Sequence, residues 1–236
     1  MDAHTKLDIS QAFVANGDDI QKLWAALENS GMEVNASASC ADGLVRQFET
    51  RESLTSYENS KRAAVLTLSI SGRSREPYRT GEISLGARYS APISIGLRGD
   101  EESVSLMRTK LADVVDGMRP WYSWISMIEL FNVWFPVLMF LILLFQMMTP
   151  SNTPLPAYSL DKAIKGIAVL AAFFGVIAFA IWGIGRLRSY FFPVSTYAFG
   201  QGLGRHQHHE QVRWVVVVGF IVGLAASVVG TVLLAT

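Results

Sequence analysis

The sequence predicts an α+β domain, with a mostly antiparallel sheet and two longer helices, followed by an all-α three-helix transmembrane domain. Three observations lead there. Residues 1–124 mix polar and apolar side chains and carry 14 Lys/Arg and 17 Asp/Glu, whereas residues 125–236 carry 6 and 3. Three later runs, Leu130–Thr149, Gly166–Gly185 and Trp214–Thr236, hold no charged residue and are 20, 20 and 23 residues long. At about 1.5 Å of rise per residue, each such run is long enough as a helix for a hydrocarbon core. Between the two halves stands Gly117-Met-Arg-Pro-Trp-Tyr-Ser-Trp-Ile-Ser126. Gly117 and Pro120 stop a helix, and Trp121, Tyr122 and Trp124 join apolar bodies to polar tips.

The first domain is expected over residues 1–119. Asp18–Glu28 places Ile20, Leu23, Trp24 and Leu27 on one helical face, with Asn29-Ser30-Gly31 as its stop. Met32, Val34, Ala36 and Ala38 alternate with polar residues as in a strand, Ala41-Asp42-Gly43 turns, and Leu44–Phe48 returns as a hairpin. A short helix near Glu52–Glu58 precedes the firmest strand, Ala64–Ser71, with Leu66, Leu68 and Ile70 on one face. Two more strands are read over Glu82–Tyr89 and Ser94–Arg98, separated by a break at Ser90-Ala91-Pro92. Asp100 then caps a helix that places Val104, Met107, Leu111, Val114, Val115 and Met118 together. The first residues, with His4, are read as a tail.

An aromatic joint is assigned to 120–129 and the transmembrane domain to 130–236, with spans near 127–149, 164–185 and 213–236. Arg108, Lys110, Arg119, Arg186, Arg188, Arg205 and Arg213 flank one side, against Lys162 and Lys165 on the other. The positive-inside rule then sets the N-terminus in the cytoplasm and the C-terminus outside, in a three-span integral membrane protein. Tyr190, Phe191, Phe192, Tyr197 and Phe199 suggest a loop lying in the membrane interface.

Composition narrows the functions. The mildly acidic first half lacks the basic patch that nucleic acid needs, so no nucleic-acid partner is expected. The single Cys40 leaves no disulfide framework. No nucleophile, base and orienting group fall together, so the chain reads as a non-enzyme, and no cofactor is expected.

Four groups remain as candidates. Arg73, Arg75 and Arg79 interleave with Tyr78 in one loop and suit an anionic ligand. His206, His208, His209 and Glu210 offer borderline donors for a transition metal. Glu129, Asn132, Pro136, Met139, Leu143 and Gln146 recur every three to four residues, the seam of helices around an axis, and would line a pore. Gly219, Gly223, Ser227 and Thr231 form a small-residue ladder for close helix packing.

By architecture the chain resembles bacterial effectors that act on the inner membrane, antiphage ones among them. That resemblance implies a homo-oligomer whose cytosolic domain binds an anionic ligand or a cytosolic protein and controls a pore-forming or membrane-perturbing domain. The other reading is a non-conducting anchor or scaffold that recruits a cytosolic partner. The expected partners are the lipid bilayer, further copies of the chain, and that ligand or protein.

Overall fold

A computed structural model gives the architecture and describes residues 2–86, 91–128, 134–136, 138–140 and 160–235. Within the two long helices, side chains are described for 173–220, 222–224, 226 and 227. The elements run β1 (Asp2–Ile9), β2 (Phe13–Asn16), α1 (Gly17–Glu28), β3 (Glu33–Cys40), β4 (Val45–Phe48), α2 (Arg51–Thr55), β5 (Val65–Ser74), β6 (Arg79–Leu85), β7 (Ile93–Asp100), α3 (Glu101–Gly117) and α4 (Ser123–Met127). Then come α5 (Leu160–Phe191), β8 (Ser195–Ala198) and α6 (Gln201–Ala235). The chain forms two compact units, one of residues 1–127 with 193–236 and one of residues 128–192.

The first unit is built on a six-stranded antiparallel sheet of order β1-β7-β6-β5-β3-β4. Alternation decides its faces, because successive side chains point to opposite sides of a strand. Val34, Ala36, Ala38, Leu68, Ile70, Ile83, Leu85, Ile93, Ile95 and Leu97 are buried on one face, joined by Ile20, Leu23, Trp24 and Leu27 of α1 and Val104, Met107, Leu111 and Val115 of α3. Each fully buried aliphatic side chain contributes about 1.5–3 kcal/mol. A Cβ at Gly81 would strike the Leu27 side chain, and one at Gly72 would press against Met32, which is why glycine interrupts these two inner rows. The opposite face carries mostly polar side chains.

Both long helices of this unit begin as side-chain chemistry requires. Asn16 and Asp19 form a reciprocal capping box on α1. Asp100 caps α3: its Oδ2 accepts from Ser103 N at 3.0 Å, and its Oδ1 accepts from Arg79 Nε at 2.9 Å. The Ser103 hydrogen bonds, then the Arg79 guanidinium, hold the Asp100 carboxyl down at about 2. A lowered folded-state pKa means this contribution is complete above the unfolded value of about 3.9 and is lost as pH falls through about 2. Asp100→Asn should therefore melt below wild type at pH 5, with the gap narrowing towards pH 2. A gap constant with pH would show that the charge is not what matters.

Three elements differ from the sequence reading. The N-terminal segment is a strand, not a tail: β1 pairs along its length with β7, His4 opposite Arg98 and Ile9 opposite Ile93. In β5 a register shift opposite Ser39/Cys40 sends Val65 inward, 6% exposed, and leaves Leu66 outward at 52%. Third, 193–200 is part of this unit's core. β8 pairs in parallel with β2, and the Tyr197 hydroxyl donates to Leu85 O at 2.8 Å. Phe13 and Tyr197 meet edge to face, and Phe199 is 4% exposed.

The joint packs against the start of α6. Tyr122 is fully buried with the Arg213 guanidinium 4.3 Å above its ring, and Arg213 pairs with Glu210 at 2.7 Å. Trp121 Nε1 donates to the other Glu210 oxygen at 2.8 Å, and its ring lies 5.8 Å from Trp214.

The three-span transmembrane domain is corrected. Among the described residues, no helix is long and apolar enough to cross a membrane. The stretch of α5 whose side chains are described runs from Phe173 and ends past Arg186 and Arg188, and α6 opens with a polar stretch holding Arg205, His206, Glu210 and Arg213. Only six residues of Leu130–Thr149 are described. The three-span inner-membrane localisation and its orientation therefore lose their basis. In the second unit, Arg188 Nη1 donates to Ile128 O, Ser189 Oγ donates to Gly185 O at 3.0 Å, and the Phe179 and Trp182 rings lie 5.8 Å apart.

Candidate functional site

The open face of the sheet gathers polar side chains in rows set by strand register. Across β1, β7, β6, β5 and β3 the first row reads His4, Arg98, Thr80, Arg73 and Glu33. The second reads Lys6, Gly96, Glu82, Ser71 and Asn35. The third holds Asp8, Ser94, Ser84, Ser69 and Ser37. The first two rows, with Ser84 and Ser94 from the third, surround an open cavity of about 870 Å³ that Tyr78 also lines.

Neighbouring strands lie about 4.8 Å apart, so the Arg73 and Arg98 backbones stand roughly 10 Å apart with Thr80 between them. Two side chains of that length converge easily above a threonine. Among the described residues neither guanidinium makes an ion pair, although Glu33 stands opposite Arg73 in register. Arg98 lies 5.7 Å from the Tyr78 ring centre, a cation–π contact that holds one fork in place. Lys6 is neutralised in part by Asp8 at 2.8 Å. Ser94 donates to Asp8 Oδ1 at 2.7 Å, and the Ser71 hydroxyl donates to Asn35 Oδ1.

The four loop residues separate. Arg73 and Tyr78 line the cavity; Arg75 is exposed in the turn and does not. Arg79 belongs to the fold. Its guanidinium pairs with Asp100 at 2.8 Å and donates to Ser30 O at 3.0 Å, and its stem lies where a side chain at Gly99 would stand. Parity explains the split: Arg79 shares its face with the buried Gly81, Ile83 and Leu85.

His4, Lys6, Glu82, Gly96 and Arg98 escaped the sequence reading. For Arg98 and Gly96 the signal was present, since both alternate with the inward Ile93, Ile95 and Leu97. His4 and Lys6 required knowing that the N-terminal segment pairs with β7.

The histidine group does not assemble into a chelating set. Among the described residues, no three His, Cys, Asp or Glu are placed to hold a metal ion. Glu210 is engaged by Arg213 and Trp121, and the His208 and His209 rings lie 6.3 Å apart. Burial pushes the His206 and His209 imidazoles down.

Glu129, Asn132, Leu143 and Gln146 lie outside the described residues; Met139 is described and exposed. In the small-residue ladder, Gly219 and Gly223 have open space where a Cβ would stand, Ser227 is exposed, and the Thr231 side chain lies outside the description.

Comparison of the chain with protein families, with characterised proteins and with solved structures finds no match.

Proposed function

We propose that the first unit is a binding domain for an anionic ligand, and that its site is the open face of the sheet. One observation carries this reading: Arg73 and Arg98 flank Thr80 on the polar face, above an open cavity, with no carboxylate paired to either among the described residues. A guanidinium presents five donors in a planar fork suited to phosphate or carboxylate oxygens. The register of β5, β6 and β7 puts both in one row.

The test maps the site directly. Inorganic pyrophosphate titrated into the isotopically labelled full chain should move the amide signals of Arg73, Thr80, Gly96 and Arg98, leaving those of residues 206–213 in place. Shifts confined to the start of α6, or no shifts at millimolar probe, would refute the assignment.

A further inference from the structure

We propose that the ligand is a hydroxyl-rich phosphomonoester, a single phosphate on a sugar-like body. Its phosphate lies between Arg73 and Arg98, and its hydroxyls lie over Gly96 against Glu82. The inference rests on the anion-binding reading above and adds the ligand's second half.

Gly96 is the first reason. A Cβ built there meets nothing within 4 Å, and its φ is not in the left-handed region, so neither packing nor backbone geometry calls for glycine. Glycine in a strand interior weakens it, and elsewhere in this sheet its presence is explained by the side chain packed over it, Met32 at Gly72, Leu27 at Gly81 and Arg79 at Gly99. What glycine does at 96 is leave a depression in the cavity floor, with Lys6 on one side and Glu82 on the other.

Glu82 is the second. It is exposed on the cavity floor and makes no ion pair among the described residues. An ionised carboxylate only accepts hydrogen bonds, so it favours hydroxyl or amino donors and repels a second anionic group. Asn35 lies in the same row, and Ser84 borders the cavity beyond it. Such a floor disfavours an extended polyanion, whose outlying charges would lie over Glu82 and Glu33.

Scale is the third. Rows two residues apart along a strand are about 6.8 Å apart, the reach of a phosphate to hydroxyls across a sugar ring. The cavity of about 870 Å³ is far larger than a lone phosphate requires and falls in the range of small-molecule sites.

The test compares ribose 5-phosphate with methyl phosphate by calorimetric titration of the full chain, as wild type, Glu82→Gln and Gly96→Val. Ribose 5-phosphate should bind wild type at least about tenfold more tightly, a factor of about 1.4 kcal/mol. Both variants should lose most of that preference while keeping methyl phosphate affinity within about threefold. The Gly96→Val variant should fold, since a β-branched residue suits an open strand position; if it does not, Glu82→Gln decides alone. Equal affinities in wild type would overturn the inference and leave anion binding standing. A preference unchanged by either variant would overturn the placement over Gly96. Failure of both probes to bind wild type would overturn the anion-binding reading itself, and the inference with it.

Discussion

Asn59→Ala is expected to destabilise the first unit by about 3 kcal/mol and lower its thermal midpoint by roughly 10 °C. Asn59 is 1% exposed and ties three parts of the chain together. Its Nδ2 donates to Tyr197 O at 3.0 Å and Phe199 O at 3.3 Å, and its Oδ1 accepts from Val65 N at 3.0 Å. Alanine would leave buried backbone groups without partners, at a cost of about 1–3 kcal/mol each before relaxation. Asn59 also sits at φ +47°, a left-handed conformation that asparagine tolerates better than alanine. Asn59→Gly separates the two effects: it relaxes the backbone but loses the same hydrogen bonds, so it should recover about 1 kcal/mol and no more. Chemical denaturation of the three proteins measures both terms. An alanine variant as stable as wild type would mean that 193–200 is not fastened to the sheet as described.

Gly202→Ala should act at the same place by overpacking. A Cβ at 202 would fall on the Tyr197 carbonyl oxygen and the Asn59 amide nitrogen. At Gly200, φ is +53° and a Cβ would strike the backbone of Tyr57 and Glu58. These two glycines let α6 begin against the loop after α2, and the Gln201 N–H donates to Glu58 O at 2.7 Å.

Local chemistry made much of this unit legible. The alternation of Ile93, Ile95 and Leu97 and the cap at Asp100 lie within single stretches, and each appears where the residues imply. The helical faces of Ile20–Leu27 and Val104–Val115 likewise turn inward. What stayed hidden depends on long-range pairing. Nothing within Ser195-Thr-Tyr-Ala198 announces a partner at Phe13–Asn16, and Tyr197 and Phe199 resemble interfacial aromatics as much as core. Leu66 was misplaced because a bulge breaks the alternation on which its assignment relied.

The candidate site divides along the same line. Arg73 and Tyr78 belong to a basic loop visible in the sequence, but Arg98 reaches them only through the pairing of β5, β6 and β7. Arg79, adjacent in sequence and identical in chemistry, is drawn to Asp100 by the parity of its strand. The apolar runs rest on length and absence of charge; the described helices place Arg186, Arg188, Arg205 and Arg213 within the same continuous elements.

The claim that the open sheet face binds anions is tested most directly by removing both forks and leaving the fold intact. Arg73→Gln with Arg98→Gln takes away two charged donors, and hydrogen bonds to charged groups contribute about 1.5–3 kcal/mol each. Calorimetric titration of inorganic pyrophosphate into the full chain should show at least about a 100-fold loss of affinity in the double variant. Its thermal midpoint should stay close to wild type, because both side chains are exposed and neither makes an ion pair among the described residues. Pyrophosphate affinity unchanged in a folded double variant would contradict the account.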